Sequence, residues 1–238
     1  MAAICQISLA SGETISGVSV SQDGGGGPTA TGLICGSCGA HSSSTGKFCS
    51  ECGARLTQTT RAAEYKQVTV LFADVVRSMD IAATLDMERL REIMTEVVER
   101  SAAVAQHYGG TVEHTGDGVM AIFGAPTALE DHAFRACVAA LAIQDEIKQL
   151  ATEVQRRDGV ALRLRVGLNS GRVIAGDIGS GSLGYAATGD TVGLAQRMES
   201  VAPAGGVMLS ESSARLVEHI AARIASVTWS PTRLFPWP

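Results

Sequence analysis

The chain has 238 residues, 45% of them hydrophobic, enough for one well-buried domain and a small appendage. Its formal net charge of -5 and the lack of Lys/Arg runs disfavour a nucleic-acid partner or an anionic membrane surface, both of which select basic faces. No apolar run reaches the ~18 residues of a membrane span, and no basic region followed by an apolar stretch opens the chain, so a cytoplasmic protein is expected.

Residues 1–32, with "SQDGGGGPTATG", carry little periodic hydrophobicity and read as a disordered leader. Residues 33–54 contain "CGSCGAHSSSTGKFCSECG". Cys35/Cys38 and Cys49/Cys52 form two Cys-x-x-Cys turns, each followed by glycine, a spacing that can present four thiolates to one tetrahedral Zn²⁺. A structural zinc ribbon is expected; two disulfides or free thiols are the alternative, disfavoured in a reducing compartment. His41, between the pairs, reads as a loop residue. Residues 55–65 read as a linker, residues 66–225 as the main domain.

"QVTVLFA" (67–73) is short, β-branched and nearly free of polar groups, the mark of a buried strand, and Asp74 follows it. Over 86–107, Met87, Leu90, Ile93, Met94, Val97 and Val98 recur at helical spacing. "GGTVEHT" and "GVMAIFG" flank a Gly-Asp-Gly turn centred on Asp117, which predicts a tight hairpin. A second long helix is expected over 129–156, with Cys137 in the core. "VALRLRVGL" (160–168) alternates like a half-buried strand, "RVIAGDIG" predicts a further one, and "GSGSLG" (179–184) a flexible connection. A helix over 191–200, a strand over 206–210 and a helix over 211–223 complete the domain. The tail, 226–238, shows no clear element. This order argues for an α+β sandwich, a mixed sheet with helices mainly on one face.

If the strands bearing Asp74 and Asp117 are neighbours, both carboxylates emerge at one sheet edge, where Mg²⁺ or Mn²⁺ could bridge them and a triphosphate. By spacing alone Asp117 could equally be a turn former and Asp74 a loop cap. The set "VTVLFADVV", "GDGVMAIFG", "LRVGLNSGRVIAGDIG" and "GDTVGLAQRMES" resembles, in order and spacing, the catalytic domain of class III adenylate and guanylate cyclases over about residues 66–220. The resemblance implies a ferredoxin-like cyclase sandwich, and a zinc ribbon ahead of it is familiar in the bacterial type. It further implies two metal ions per site, held by Asp74, Asp117 and the Val75 carbonyl. One would activate the ribose 3'-hydroxyl and the other brace the triphosphate while pyrophosphate leaves. Residues Val76, Arg77 and Ser78 stand in the phosphate loop, and Arg197 matches the arginine that stabilises the transition state. A head-to-tail dimer is implied, the chain pairing with a copy of itself or with another cyclase chain.

Several positions depart from that pattern. Glu113 stands where adenylate cyclases carry the base-reading lysine; glutamate there is the guanylate cyclase choice, although an exposed glutamate on a strand face is an equal reading. Ala186, at the second base-reading position, offers no hydrogen bond. Gly193 replaces the ribose-positioning asparagine, Arg77 a glycine and Met79 a threonine of the phosphate loop. The lysine strand that ends the family's domain is missing, so an unfilled sheet edge is expected. Arg197 could also be an ordinary surface residue of its helix. Three readings result: a weak purine nucleotide cyclase of relaxed or guanine-leaning specificity that depends on Asp74, Asp117 and Arg197; a pseudo-cyclase that binds nucleotide or a partner subunit without turnover; and a scaffold in which the ribbon does the binding.

Overall fold

The computed structural model describes residues 4–9, 33–35, 37–42, 48–55, 64–177, 185–221 and 227–232. Its elements are β1 (Ile4–Leu9), β2 (Leu33–Ile34), β3 (His41–Ser42), β4 (Glu64–Val75), α1 (Ser78–Ala82), α2 (Met87–His107), β5 (Thr111–His114), β6 (Gly118–Phe123), α3 (His132–Asp158), β7 (Leu164–Asp177), β8 (Tyr185–Thr188), α4 (Asp190–Val201), β9 (Val207–Ser210), α5 (Glu211–Ala221) and β10 (Val227–Thr232). The chain divides into a unit of residues 19–62, which holds β2 and β3, and a unit formed by residues 1–18 and 63–238.

The larger unit is an α+β fold around one sheet in the order β10-β1-β9-β7-β4-β6-β5, with β8 paired to β7. Among the described residues only β7 and β9 run parallel, and the other pairings in this sheet are antiparallel. Central β4 is apolar on both sides, which is why "VTVLFA" reads as an unbroken hydrophobic run. Its two faces meet different partners. On one, Thr69 Oγ1 lies 2.7 Å from Nδ1 of His132 at the start of α3. On the other, Val68, Val70 and Phe72 pack with Met120, Ile122, Val192 and Ala195, which places α4 over that face. Gly167 of β7 permits the approach of α4: an added Cβ there would stand 1.9 Å from the Glu199 amide nitrogen.

Four expectations need correction. Ile4–Leu9, in the segment read as a disordered leader, forms β1, pairing antiparallel with both β9 and β10. Val227–Thr232, in the tail read as irregular, forms β10 against β1, which itself fills the open side of β9, so the sheet edge moves outward. Both strands are short and pair with residues about 200 positions away or more, a partnership local periodicity cannot reveal. His41 lies in β3, opposite Ile34, rather than in a loop. The strands expected around 160–168 and at "RVIAGDIG" are one continuous strand, β7. Cys137 is buried as expected, its thiol pushed up to about 12 by burial. The "GSGSLG" connection lies outside the described residues.

Candidate active site

Asp74 is the penultimate residue of β4, opposite Gly118 of β6 on one side and Arg165 of β7 on the other. Asp117 sits in the three-residue connection of the β5–β6 hairpin, closed by the Thr115 amide donating to the Gly118 carbonyl at 3.0 Å. Gly116 takes φ 97, a left-handed value that suits glycine and makes so short a turn possible. The strands are neighbours, and the two carboxylates meet at one edge. Burial, then the charge of Asp117 and a hydrogen bond with it, then the charge of Glu199, push the Asp74 carboxyl up to about 6; the Val75 amide, donating to Asp74 Oδ1 at 3.0 Å, acts in the opposite sense. A carboxylate whose pKa is raised by a neighbouring charge of the same sign is relieved when a cation sits beside it.

Glu199 of α4 is buried at 5% exposure and held 2.9 Å from the Nε of Arg165, an ion pair poorly aligned for a hydrogen bond. Burial, the largest cause, raises its pKa, while Arg165 opposes this. Sequence reasoning missed both residues. The signal was present: Ala195, Met198 and Glu199 share the buried face of α4, so Glu199 occupies a position its helix reserves for apolar groups.

The raised Asp74 pKa gives a stability test. The folded state holds the proton more tightly than the unfolded chain, whose aspartate titrates near 3.8. Metal-free protein is therefore expected to lose stability as pH rises from about 4 to about 6. Melting in chelator should show Asp74→Asn more stable than wild type above pH 6, with no difference at pH 4. Equal melting temperatures at both values would contradict the carboxylate pairing.

The phosphate loop follows directly. The Val76 amide donates to the Arg163 carbonyl at 2.9 Å, so Val76, expected to help cup phosphates, has its N–H spent in the main chain. Arg77 adopts φ 54 and ψ 45 ahead of Ser78, the first residue of α1, and is the one non-glycine residue with positive φ among the described residues. Arginine thus occupies a conformation that favours glycine, at roughly 1 kcal/mol of strain. Glu113 is half-buried on β5 opposite Met120, on the face that carries Asp74, and burial raises its pKa. Ala186 lies on β8 opposite Gly176.

Arg197 is exposed on α4 and in no ion pair among the described residues, although Glu199 two positions on reaches Asp74 electrostatically. Gly193 lies one turn before Arg197, and a Cβ added there would meet only Arg197 Nη1, at 3.8 Å.

Residues 60–228 match the family model of the adenylate and guanylate cyclase catalytic domain. The chain belongs to that family. The chain is 33% identical over 144 residues to adenylate cyclase 1 of Rhizobium meliloti, covering 59% of this chain and 22% of that protein. Among solved structures it resembles the guanylate cyclase domain of RhGC from Catenaria anguillulae in complex with GTP, at 32% identity and TM-score 0.59, over 66% of this chain and 85% of that one. It also resembles the adenylyl cyclase CyaB from P. aeruginosa, at 27% identity and TM-score 0.62, over 66% and 83%. The chain spans between 10% and 23% of the length of the first curated relatives it matches.

The cysteine cluster of this chain consists of two like turns. The Cys35 amide donates to the Ala40 carbonyl and the Gly39 amide to the Cys35 carbonyl; Cys49, Ala54 and Gly53 repeat the pattern. Gly39 and Gly53 take φ 73 and 69. The four sulfurs lie within 4.8 Å of one another, Cys35 and Cys52 at 3.5 Å and Cys38 and Cys49 at 3.7 Å. Tetrahedral Zn–S bonds of about 2.3 Å require S···S edges of roughly 3.8 Å, whereas a disulfide requires about 2.05 Å. The donor set fits a metal thiolate centre. Among the described residues no helix is long and apolar enough to cross a membrane.

Proposed function

We propose that this chain closes a purine nucleoside triphosphate into its 3',5'-cyclic nucleotide and releases pyrophosphate. The observation that carries this reading is the convergence of Asp74 and Asp117 at one sheet edge, raising the Asp74 pKa as two cation-seeking carboxylates do. Asp74, Asp117 and the Val75 carbonyl would hold two Mg²⁺ or Mn²⁺ ions, which when bound polarise phosphate oxygens and acidify the 3'-hydroxyl. The ribose 3'-oxygen forms a bond to the α-phosphorus as its proton leaves to solvent, and the α,β-bridging oxygen departs with pyrophosphate. Arg197 stabilises charge developing on the transferring phosphoryl group. Because Arg197 makes no ion pair with either aspartate of its own chain and is not among the groups that shift Asp74, we assign it to the site of a second subunit, in a homodimer or with another cyclase chain.

Turnover is weak in this reading, since Gly193 and Ala186 provide no polar contact to nucleotide and Arg77 and Met79 alter the phosphate loop. Glu113 favours guanine, whose N1 and N2 groups donate hydrogen bonds that a carboxylate accepts. Cytoplasmic placement is part of the proposal, as are the Zn²⁺ and the bacterial-type zinc ribbon at Cys35, Cys38, Cys49 and Cys52. The ribbon reading expects the zinc to supply much of the folding free energy of so small a unit. Cys38→Ser should lower bound zinc by elemental analysis and expose residues 33–55 to proteolysis; unchanged protection would contradict it.

The reaction is tested by incubating purified chain with Mn²⁺ and either ATP or GTP. Cyclic product, with GTP preferred, is expected. The bare side chains at Gly193 and Ala186 favour a second reading, a regulatory subunit that binds nucleotide without turnover. Nucleotide-dependent stabilisation of a folded, dimeric protein with no product from either substrate would select it.

A further inference from the structure

Asp74 of β4 and Arg165 of β7 are directly opposite one another, so their side chains leave the sheet on the same face. That face is the one α4 covers. Phe72, two residues before Asp74, packs with Val192 and Ala195, and Gly167, two residues beyond Arg165, lies against the Glu199 amide. Opposite charges at facing positions of two strands ordinarily pair, and an arginine paired with Asp74 would occupy the oxygens a cation needs. The structure shows a different pairing. Arg165 turns to α4, with its Nε 2.9 Å from Oε1 of Glu199 and its Nη1 donating to the Ser200 carbonyl at 3.3 Å. Among the described residues no ion pair joins Arg165 to Asp74. Glu199 is itself held, buried at 5% exposure, with Oε2 accepting from the Ser200 hydroxyl at 3.2 Å.

We propose that Glu199 is a positioning residue for the cation site: it keeps the Arg165 guanidinium on α4 and so leaves Asp74 free for a divalent cation. This rests on the reading of Asp74 and Asp117 as cation ligands. Without the Glu199 charge, the carboxylate that Arg165 meets across the strand pair is Asp74, and a guanidinium fork matches a carboxylate. Metal and guanidinium then compete for the same oxygens. The Arg165–Glu199 contact is poorly aligned for a hydrogen bond, so charge rather than a directed bond holds the guanidinium, and a neutral glutamine does not replace it.

The test is titration of the full chain with Mn²⁺, the free ion followed by electron paramagnetic resonance, with Asp117→Ala as the control that loses the site. Glu199→Gln is expected to weaken Mn²⁺ binding on the order of 10-fold. Arg165→Met should bind no more weakly than wild type, and Glu199→Gln/Arg165→Met should recover most of the loss. A pair that only fastened α4 to the sheet would make both single variants harmful and the double variant no better. Crystals of metal-free Glu199→Gln protein should show the Arg165 guanidinium against Asp74. A guanidinium still on α4, or wild-type Mn²⁺ affinity in Glu199→Gln, overturns the proposal and leaves the enzyme reading untouched. Weakened binding in Arg165→Met overturns it as well, so the test holds even where Glu199→Gln does not fold. The expected Mn²⁺ pattern without cyclic product from wild type would leave the positioning role standing and sink the enzyme reading alone.

Discussion

Replacing Asp117 by alanine should reduce cyclic nucleotide formation by about 10³-fold or more, because it removes charge that positions the cations of the reacting phosphates. Asp74→Ala should do the same, and the double variant should be little worse than either single one, since residues acting as one unit are non-additive. The structure makes the experiment clean. Asp117 sits in a hairpin connection whose hydrogen bond runs between the main chains of Thr115 and Gly118, so its side chain is dispensable to the turn. Asp74 is different, since its carboxylate accepts from the Val75 amide, and Asp74→Asn keeps that acceptor while removing the charge. Melting of Asp117→Ala in chelator should be no lower than wild type, because one member of a repelling pair is gone. Loss of activity with loss of fold would point to a structural aspartate, and retained activity would remove Asp117 from the chemistry.

The second large effect runs in the opposite direction. Gly193→Asn is expected to raise turnover, on the order of 10²-fold, by supplying a polar side chain to orient the ribose. The site is ready to accept it, as a Cβ at Gly193 has only the tip of Arg197 nearby, at 3.8 Å. Glycine inside a helix also costs about 0.5–1 kcal/mol relative to alanine, so the substitution does not weaken α4. The effect should appear in kcat more than in KM, since the orientation is realised as the 3'-oxygen approaches phosphorus. Unchanged kcat in a folded Gly193→Asn protein would show that the low polarity of this helix is not what limits the reaction.

How far the sequence alone led depends on where each interaction is encoded. β4 and the β5–β6 hairpin were legible because their signals are local, an apolar run and a glycine-flanked turn. The stretch over 160–168 and "RVIAGDIG" predict two strands, and between them stand the polar and small residues Asn169, Ser170 and Gly171. The structure carries them through as one strand, β7. Asn169 donates to the Thr191 carbonyl at 2.9 Å, Ser170 hydrogen-bonds Thr69 and Ser213 at 2.7 and 2.9 Å, and Gly171 leaves room for Thr191. Polar residues that would break a strand in water are satisfied here by partners on three other elements. β1 and β10 escaped notice for the same reason, since their pairing joins opposite ends of the chain. At the site, Asp74 and Asp117 lie at the same edge of neighbouring strands, and Glu113 lies on the face of the sheet that carries Asp74. Glu199 and Arg165 did not stand out, because a buried ion pair looks like two solvated charges until the helix is docked. The use of the Val76 amide by Arg163 is main-chain chemistry, which side-chain identity does not record.

The central claim is that one site is built by Asp74 and Asp117 of one chain and Arg197 of another. It is tested most directly by mixing Asp117→Ala protein with Arg197→Ala protein, allowing exchange, and measuring cyclic nucleotide from GTP and ATP with Mn²⁺. Each variant alone should be inactive, and the mixture should recover about one quarter of wild-type activity, because half the dimers then hold one intact site of two. A mixture as inactive as its parts, in protein shown to have exchanged subunits, would contradict the claim.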